Sequence, residues 1–493
     1  MPPQSTSALD NALQTLKLDD GLHSPLSVAT EHIVSELLKE FPEQVIEADH
    51  PQYRALQNSY WSGYQKSLKP RCFFQPHCAE ELGRAVALCA EGRCLFGVKS
   101  GGHGHFAGQS SIEGGIQIDL VKLKTLQIKR SEGTVLVGAG NTWGSVYERL
   151  QKEGLIVVGG RSANVGVGGY LVGARYGWGI DNVRSFEIVL SDGRVVTASS
   201  ESEPNLYRAL RGGGSNFGII TTFELEAYPY NGMWGGRTMI DSIHARQAIA
   251  AYQGFVKMQE TDPKGHTIFI ATYDEGPLRL LQYMVYTEPQ GDLPIFENLR
   301  KVPTIESSLG LTHYTALAQN IAGLQDGVGH RAAISTLTLK LDKDLLNFAY
   351  DVFVKEASPK SQYINATMEF HAIPRTSSPA GNRFGLERAD GHLIAFLLIF
   401  TTSDEQHDNE MTETQQRILG RIENEAKKRH LYHPFLFANY AAQWQDVFES
   451  YGDANIKFLT EVANEYDPER VFQCLQPGSF KLRSPRRIRQ AKA

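Results

Sequence analysis

The stretch from Lys99 to Gly108, Lys-Ser-Gly-Gly-His-Gly-His-Phe-Ala-Gly, constrains the fold of this chain more than any other. It lies between two apolar runs, residues 94–98 and 115–120, that are typical of short strands. Glycines let the backbone adopt positive φ and approach a ligand closely, and free N–H groups in such a turn can hold a phosphate or an electron-rich ring. His103 and His105 lie inside the turn and are candidate nucleophiles or acid–base groups. The alternative is an ordinary turn with solvated histidines.

The composition restricts the class of protein. With 493 residues the chain is too long for one hydrophobic core, so we expect two or three domains. The net charge of −6 gives no electrostatic basis for binding nucleic acid. No apolar run approaches the roughly 20 residues that a membrane span needs.

The cysteines and the N-terminus indicate the compartment. Residues 1–30 have no basic segment followed by an apolar one, which predicts an intracellular, cytoplasmic protein. The five cysteines lack metal-ligand spacing, so we expect reduced thiols and no metal site.

The first half of the chain alternates short strands, glycine turns and short helices. We expect helices over 27–41, 79–91, 145–151 and 204–210, strands over 133–137 and 217–225, and a hairpin over 186–198. A nicotinamide-binding Rossmann domain is disfavoured, because the third glycine after 138 falls one place late. A second glycine cluster, 165–169, indicates either backbone against a ligand or a tight crossing of two chain segments.

The second half has longer amphipathic segments. A change in composition at 232–236 indicates a domain boundary. We expect helices over 243–259 and 410–429, and strands over 267–273, 281–286, 332–341, 363–372 and 392–401. Several strands with helices on one side predict an α+β layer over a sheet.

Ordered motifs along the chain resemble a known family. They are Lys-Ser-Gly-Gly-His at 99–103, Gly-Val-Gly-Gly at 166–169, Arg-Tyr-Gly-Trp-x-x-Asp-Asn at 175–182, Leu-x-Gly-Gly-Gly-x-Asn-Phe-Gly-Ile at 210–219, and Asn-Tyr at 439–440 with Tyr-Asp-Pro at 466–468. The chain resembles the berberine bridge enzyme-like oxidases of the vanillyl-alcohol-oxidase superfamily, most nearly fungal FAD-linked oxidoreductases of secondary metabolism. The resemblance implies an α+β fold, with a PCMH-type FAD-binding domain of two α+β subdomains and a substrate domain whose antiparallel sheet is covered by helices.

The same resemblance, with the composition, divides the chain. The predicted parts are an N-terminal extension and cover over 1–66, the FAD-binding domain over 67–231, the substrate-binding domain over 232–430, a C-terminal segment returning to the FAD domain over 431–482, and a basic tail over 483–493. Aromatic residues between 53 and 64 form the predicted cover.

The resemblance also implies the cofactor contacts. His103 matches the histidine that family members bond to the 8α-methyl carbon of FAD. The family's second anchor is a cysteine, and Ser162 stands there; a hydroxyl is a poorer nucleophile than a thiolate, so we expect a single covalent link. His105 matches no family role, and a structural and a catalytic role both stay open. The other implied cofactor-binding residues are Lys99, Ser100, Gly101, Gly102, Gly104, Gly140, Val165, Gly166, Gly168, Gly169, Ile220 and Asn439.

Candidate catalytic residues come from two segments. Tyr440 matches a tyrosine that acts as base in relatives, and it needs a buried cation or the flavin nearby to ionise at neutral pH. Glu369 and His371 alternate on a predicted strand and share a face, where a carboxylate and an imidazole can relay a proton; an exposed sheet face is the alternative. Relatives carry a longer loop after Gly169, which normally lines the cofactor.

These residues predict an FAD-dependent oxidase of a small organic metabolite. Hydride from a C–H bond next to oxygen, nitrogen or an unsaturated system passes to flavin N5, and O2 is reduced to H2O2, with cyclisation or further dehydrogenation of the product. A non-redox isomerase or cyclase using acid–base residues is the alternative. A carbohydrate oxidase is disfavoured by Ser162 and by the missing export signal.

Overall fold

The computed structural model describes residues 25–169, 177–274, 276–291, 293–324, 329–374, 381–387 and 390–482. Three sheets organise this part of the chain.

The first sheet is mixed and carries the glycine-histidine turn. Its strands are β1 (Val45–Glu47), β2 (Cys72–Phe74), β3 (Phe96–Lys99) and β4 (Ile116–Asp119), in the order β1-β2-β4-β3. Strands β2 and β3 run parallel to β4, so their carboxyl ends meet at one edge, where Lys99 stands beside Asp119. The turn begins at that edge.

Helices cover this sheet, and the two predicted over 27–41 and 79–91 are among them. They are α1 (Pro25–Glu40), α2 (Tyr53–Gln57), α3 (Gly63–Lys66) and α4 (Ala79–Glu91). In α4, the buried residues Leu82, Val86 and Cys89 recur at helical spacing. Glu80 and Glu81 lie in its first turn, where carboxylates stabilise the positive end of the helix dipole.

The second sheet is antiparallel. Its strands are β5 (Leu126–Lys129), β6 (Thr134–Gly138), β7 (Leu155–Val157), β8 (Val183–Val189), β9 (Val195–Ser199) and β10 (Ile219–Pro229), in the order β5-β6-β10-β8-β9, and β7 pairs with the end of β10. The predicted hairpin is confirmed as β8 and β9. Helices α5 (Trp143–Gln151) and α6 (Pro204–Leu210) lie in its connections.

The third sheet is antiparallel and forms the roof of the site. Its strands are β11 (Met233–Ile240), β12 (Gly265–Tyr273), β13 (Arg279–Tyr286), β14 (Glu306–Ser307), β15 (Gly310–Thr312), β16 (Arg331–Lys340), β17 (Asn365–Ala372), β18 (Leu393–Thr402) and β19 (Tyr432–His433). The order is β14-β11-β13-β12-β17-β18-β16-β19, and β15 also pairs with β11. The strands predicted within 267–402 are confirmed to within a few residues.

One face of the third sheet is packed against helices. Helices α7 (Ala245–Met258), α10 (Lys343–Ala357) and α11 (Asp408–Lys428) pack together there, over an apolar core that includes Phe269 and Phe396. The side chains between those core residues point to the opposite face. Helices α8 (Glu297–Arg300), α9 (Tyr314–Leu324), α12 (Asp453–Tyr466) and α13 (Val471–Cys474) complete the described elements.

Strand β11 begins at Met233, next to the predicted division at 231/232, and β19 adds Tyr432 and His433 to the third sheet. The helices that were not predicted are α2, α3, α8, α9, α10, α12 and α13.

All five cysteines are free thiols. Over the described ranges, no helix combines the length and apolar character of a membrane span, and no cluster of side chains has the makeup of a metal site.

Candidate active site

A cavity of about 860 Å³ lies between the glycine-histidine turn, the second glycine cluster and the third sheet. Predicted residues that line it are Ser100, Gly101, Gly102, His103, Gly104, Ser162, Val165, Gly166, Gly168, Gly169, Ile220, Glu369, Asn439 and Tyr440. The structure therefore brings together most of the residues that the sequence singles out.

The two glycine clusters cross each other at backbone contact. A Cβ on Gly101 would lie 2.4 Å from the Gly166 nitrogen, and one on Gly166 would lie 2.4 Å from the Gly101 nitrogen. Ser100 Oγ ties the crossing by donating to the Ala139 carbonyl at 2.6 Å and accepting from Gly168 N at 3.2 Å. Glycine at 101 and 166 is thus required by packing, which is the tight crossing considered above.

Gly102 and Gly169 show a different requirement. Gly102 has a φ of +67°, which favours glycine whatever the space around it. At Gly169, no atom of the described chain lies within 4 Å of the place that a Cβ would take, although the residue lines the cavity. The predicted loop difference after Gly169 falls on residues 170–176, which lie outside the described ranges.

Two predicted cofactor residues lie outside the cavity lining. Lys99 is buried and donates to Asp119 Oδ2 at 3.2 Å and to Ser59 Oγ at 2.7 Å. Gly140 lies where a Cβ would approach the Leu120 carbonyl oxygen to 2.2 Å. Both residues support the turns beneath the cavity.

The imidazole of His103 contacts Trp61 on one face and Asn164 at one edge. Its ring stacks on Trp61 with 4.8 Å between centroids and 12° between planes. Burial lowers the pKa of His103 to about 4, while hydrogen bonds with its own backbone and with Asn164 act in the opposite direction. Ser162 Oγ donates to Asn164 Oδ1 at 2.7 Å, so Ser162 supports the histidine through Asn164. The ring is therefore neutral at pH 7.

His105 is the second buried imidazole at the cavity wall. Burial lowers its pKa to about 4, opposed by a hydrogen bond with the Ala441 backbone. Within the part of the chain that the structure describes, Nε2 of His105 and Nε2 of His103 are buried without hydrogen-bond partners. Buried polar atoms are normally satisfied, so both atoms point to a ligand that completes the site.

Arg161 is a site residue that the sequence analysis missed. Its guanidinium donates to the Tyr440 hydroxyl at 2.7 Å, and both residues line the cavity. Tyr440 belongs to a short helical turn, Ala438–Tyr440, and its side chain is buried. A half-buried cation thus lies at the Tyr440 hydroxyl. The only sequence signal was that Arg161 directly precedes Ser162.

Glu369 and His371 share a face of β17, as alternation predicts. Glu369 Oε2 and His371 Nε2 lie 2.5 Å apart, both side chains are buried, and Glu369 lines the cavity. Burial and the charge of Arg161 lower the pKa of His371 against the opposing effect of Glu369. For Glu369, burial raises the pKa, but the hydrogen bond and charge of His371, with Arg161, lower it overall.

These polar groups form one cluster on the roof of the cavity. The His371 and Tyr440 rings have centroids 5.6 Å apart, and Arg161 bonds to the hydroxyl of that tyrosine. Around them the third sheet presents an aliphatic wall, made of Ile268, Ile270, Ile334, Leu397 and Ile399. The cavity therefore combines apolar surface with a few polar groups, as small-molecule sites do.

A family model described as an FAD binding domain matches residues 70–199. The FAD-dependent monooxygenase tpcD of Cochliobolus heterostrophus is 31% identical over 475 residues, covering 88% of this chain and 90% of that protein.

Solved structures share the fold. The 6-hydroxy-D-nicotine oxidase of Arthrobacter nicotinovorans has a TM-score of 0.72 at 20% identity, covering 87% of this chain and 96% of its own. A berberine bridge enzyme variant, H174A in complex with (S)-reticuline, has a TM-score of 0.72 at 18% identity, covering 90% and 97%.

Proposed function

The chain belongs to the berberine bridge enzyme-like family of fungal FAD-linked oxidoreductases, and from that premise we propose that it is an oxidase of a small organic metabolite. In this proposal O2 is the final electron acceptor and is reduced to H2O2. The observation that supports the proposal is that Arg161, Tyr440 and Glu369 line the same cavity as the His103 turn, with His371 bonded to Glu369 behind them.

The residues of the cavity fit FAD. The unpaired Nε2 of His103 lies at the wall, next to the backbone of residues 100–104 and 166–169, as a flavin with phosphates requires. When bound, FAD supplies a two-electron acceptor for a hydride from the substrate. Gly169, Ile220 and Asn439 line the same space and would contact it.

We propose one covalent link, through His103. A neutral imidazole is the nucleophilic form, and burial keeps His103 neutral at pH 7. The link would join an imidazole nitrogen of His103 to the 8α carbon, with the imidazole proton and one methyl proton released and the two electrons passed to O2, which would give H2O2. Ser162 donates to Asn164, so its hydroxyl supports this histidine and does not provide a second link.

Tyr440 is the proposed base. The guanidinium of Arg161 stabilises a phenolate at hydrogen-bond distance, so Tyr440 can accept a proton from a substrate hydroxyl. The ring of His371 lies 5.6 Å from that of Tyr440 between centroids, and its bond to Glu369 places a second acid–base pair beside the proposed base. The aliphatic wall offers an apolar surface against which the substrate can pack.

Substitution of Tyr440 tests the assignment. Tyr440→Phe keeps the ring and removes the acid–base group, so turnover is expected to fall about 10²–10⁴-fold. Tyr451→Phe is the matched control, because Tyr451 also lines the cavity and is buried. Unchanged turnover in Tyr440→Phe would show that another group is the base.

A second candidate is a non-redox isomerase or cyclase, favoured by the Glu369–His371 pair, which needs no flavin for acid–base work. The tpcD relative, named a monooxygenase, suggests oxygen insertion as a further outcome. A panel of benzylic and allylic alcohols, given to the holoprotein without air, separates these reactions. An oxidase bleaches the flavin, and on readmission of ¹⁸O2 releases H2O2 with no label in the product. Labelled product would instead indicate a monooxygenase, and product without bleaching an isomerase.

A further inference from the structure

The segment Ser59–Lys66, here called the cover segment, lies outside the matched FAD-binding region at 70–199 and yet is bonded to the glycine-histidine turn. Its hydrogen bonds to the turn are Lys99 Nζ to Ser59 Oγ at 2.7 Å, Trp61 N to Gly102 O at 3.0 Å, Ser62 Oγ to His105 O at 2.9 Å, and Gln65 Nε2 to Gly104 O at 2.8 Å. The turn therefore takes its shape from the cover segment as much as from its own glycines.

The cover segment is also anchored on its other side. Gly63 N donates to His330 O at 2.9 Å, and Gly329 N donates to Trp61 O at 3.0 Å. A Cβ on Gly63 would lie 2.6 Å from the Gly329 carbonyl oxygen, so the two segments touch through backbone. Held from both sides, the backbone of Trp61 has a fixed position.

Within this frame the Trp61 indole faces His103. The two rings lie 4.8 Å apart and within 12° of parallel, and both line the cavity. The terminal torsion of a histidine is broad, so an unsupported imidazole swings freely about it. A flat ring stacked on one face, with Asn164 at the edge, removes that freedom.

We propose that Trp61 is a positioning residue for the covalent attachment of FAD, holding the imidazole of His103 in the plane from which a ring nitrogen reaches the 8α carbon. The inference rests on the covalent link proposed above. The bond forms between that nitrogen and carbon, two protons leave, and O2 takes up the two electrons as H2O2. Orientation of this kind accelerates bond formation, because a displacement of about 1 Å can cost about 10²-fold in rate.

The experiment follows attachment directly and needs no substrate. Full-length protein from riboflavin-starved cells is incubated with FAD in air, and flavin fluorescence that stays with the acid-precipitated protein is measured over time. The variants are Trp61→Phe, which keeps a flat ring, Trp61→Leu, which keeps apolar bulk, and Trp61→Ala. Trp444→Ala is the control, because Trp444 is 46% exposed and lies outside the cavity lining.

We expect Trp61→Ala and Trp61→Leu to attach FAD about 10²-fold more slowly than the unchanged protein. Trp61→Phe should attach FAD within about tenfold of the rate of the unchanged protein, and Trp444→Ala should attach it at that rate. Reversible FAD binding, measured by fluorescence quenching, should change little.

The pH profile gives a second readout. Without the indole, water reaches His103, so the pKa of its imidazole should move from about 4 toward its ordinary value, and the acid limb of the attachment rate should move up with it.

The outcomes separate the two proposals. If the unchanged protein retains no flavin after acid precipitation, the covalent link itself is wrong. If it retains flavin and Trp61→Leu attaches FAD equally fast, the positioning role is overturned while the link stands. If Trp61→Ala does not fold, the difference in attachment rate between Trp61→Phe and Trp61→Leu still tests the positioning role.

Discussion

Replacing Lys99 with methionine separates a structural role from a cofactor-binding role. The Lys99 ammonium lies 3.2 Å from Asp119, with 6% and 0% of the two side chains exposed. At an effective dielectric of about 20, charges at this separation attract by about 5 kcal/mol, and breaking a buried pair typically costs about 3–5 kcal/mol. Asp119 would keep only long hydrogen bonds from Gln75 and Val121 at 3.3 Å, which do not replace the cation.

Hydrogen exchange measured by mass spectrometry is the assay, because it reports the opening of β3 and β4 separately from the rest of the chain. A loss of about 3–5 kcal/mol corresponds to exchange faster by about 10²–10³-fold or more at these amides. The double variant Lys99→Met/Asp119→Asn has no unpaired buried charge, so part of the protection of these amides from hydrogen exchange should return. Protection that changes less than about tenfold, together with weaker FAD binding, would refute the structural role and favour a cofactor contact.

Three further predictions concern packing, pH and the roof of the cavity. Gly166→Ala should prevent correct folding, whereas Gly169→Ala should leave the melting temperature unchanged and lower FAD incorporation, measured by bound flavin absorbance; equal effects would contradict the packing argument. Because burial lowers the pKa of His105 to about 4, the unfolded chain binds the proton first, and this residue should reduce the free energy of unfolding by up to about 3 kcal/mol between pH 6.5 and 4. In His105→Gln the urea midpoint should therefore fall less over that range than in the unchanged protein. Arg331→Met should destabilise the protein by about 3 kcal/mol, because it leaves the buried carboxylate of Asp408 without its bidentate partner, and a melting temperature equal to that of the unchanged protein would exclude this.

The sheets could be predicted because their signal is local. Successive side chains of a strand point to opposite faces of the sheet, so a strand shows a period of two in its own sequence. Strands β12, β16, β17 and β18 could therefore be recognised without knowing which strands pair with them. The same alternation placed Glu369 and His371 on one face. Helix α10 was missed although its buried residues Leu346, Ala349 and Phe353 recur at helical spacing, so that signal was local as well.

The contacts that complete the site were not predictable in this way. Arg161 and Tyr440 are 279 residues apart, and neither lies in a periodic segment. Trp61 was placed in a cover, but its stacking on His103 depends on backbone bonds to Gly102 and Gly329, which no spacing in the sequence encodes. The local sequence pattern predicts helices and strands, whereas contacts between side chains across the cavity depend on how the three sheets pack.

The third sheet divides its residues between two tasks. Ile268, Ile270, Leu397 and Ile399 face the cavity, while the alternating Phe269, Ala271, Phe396 and Leu398 face the helices. Substitution in the first set reshapes the space for the substrate and leaves the packing between the sheet and its helices intact. A lineage of such proteins can therefore change its substrate by point mutation without disturbing that layer of the core. This separation makes the roof an evolvable surface, and it offers the same four positions as the natural targets for a library that alters specificity.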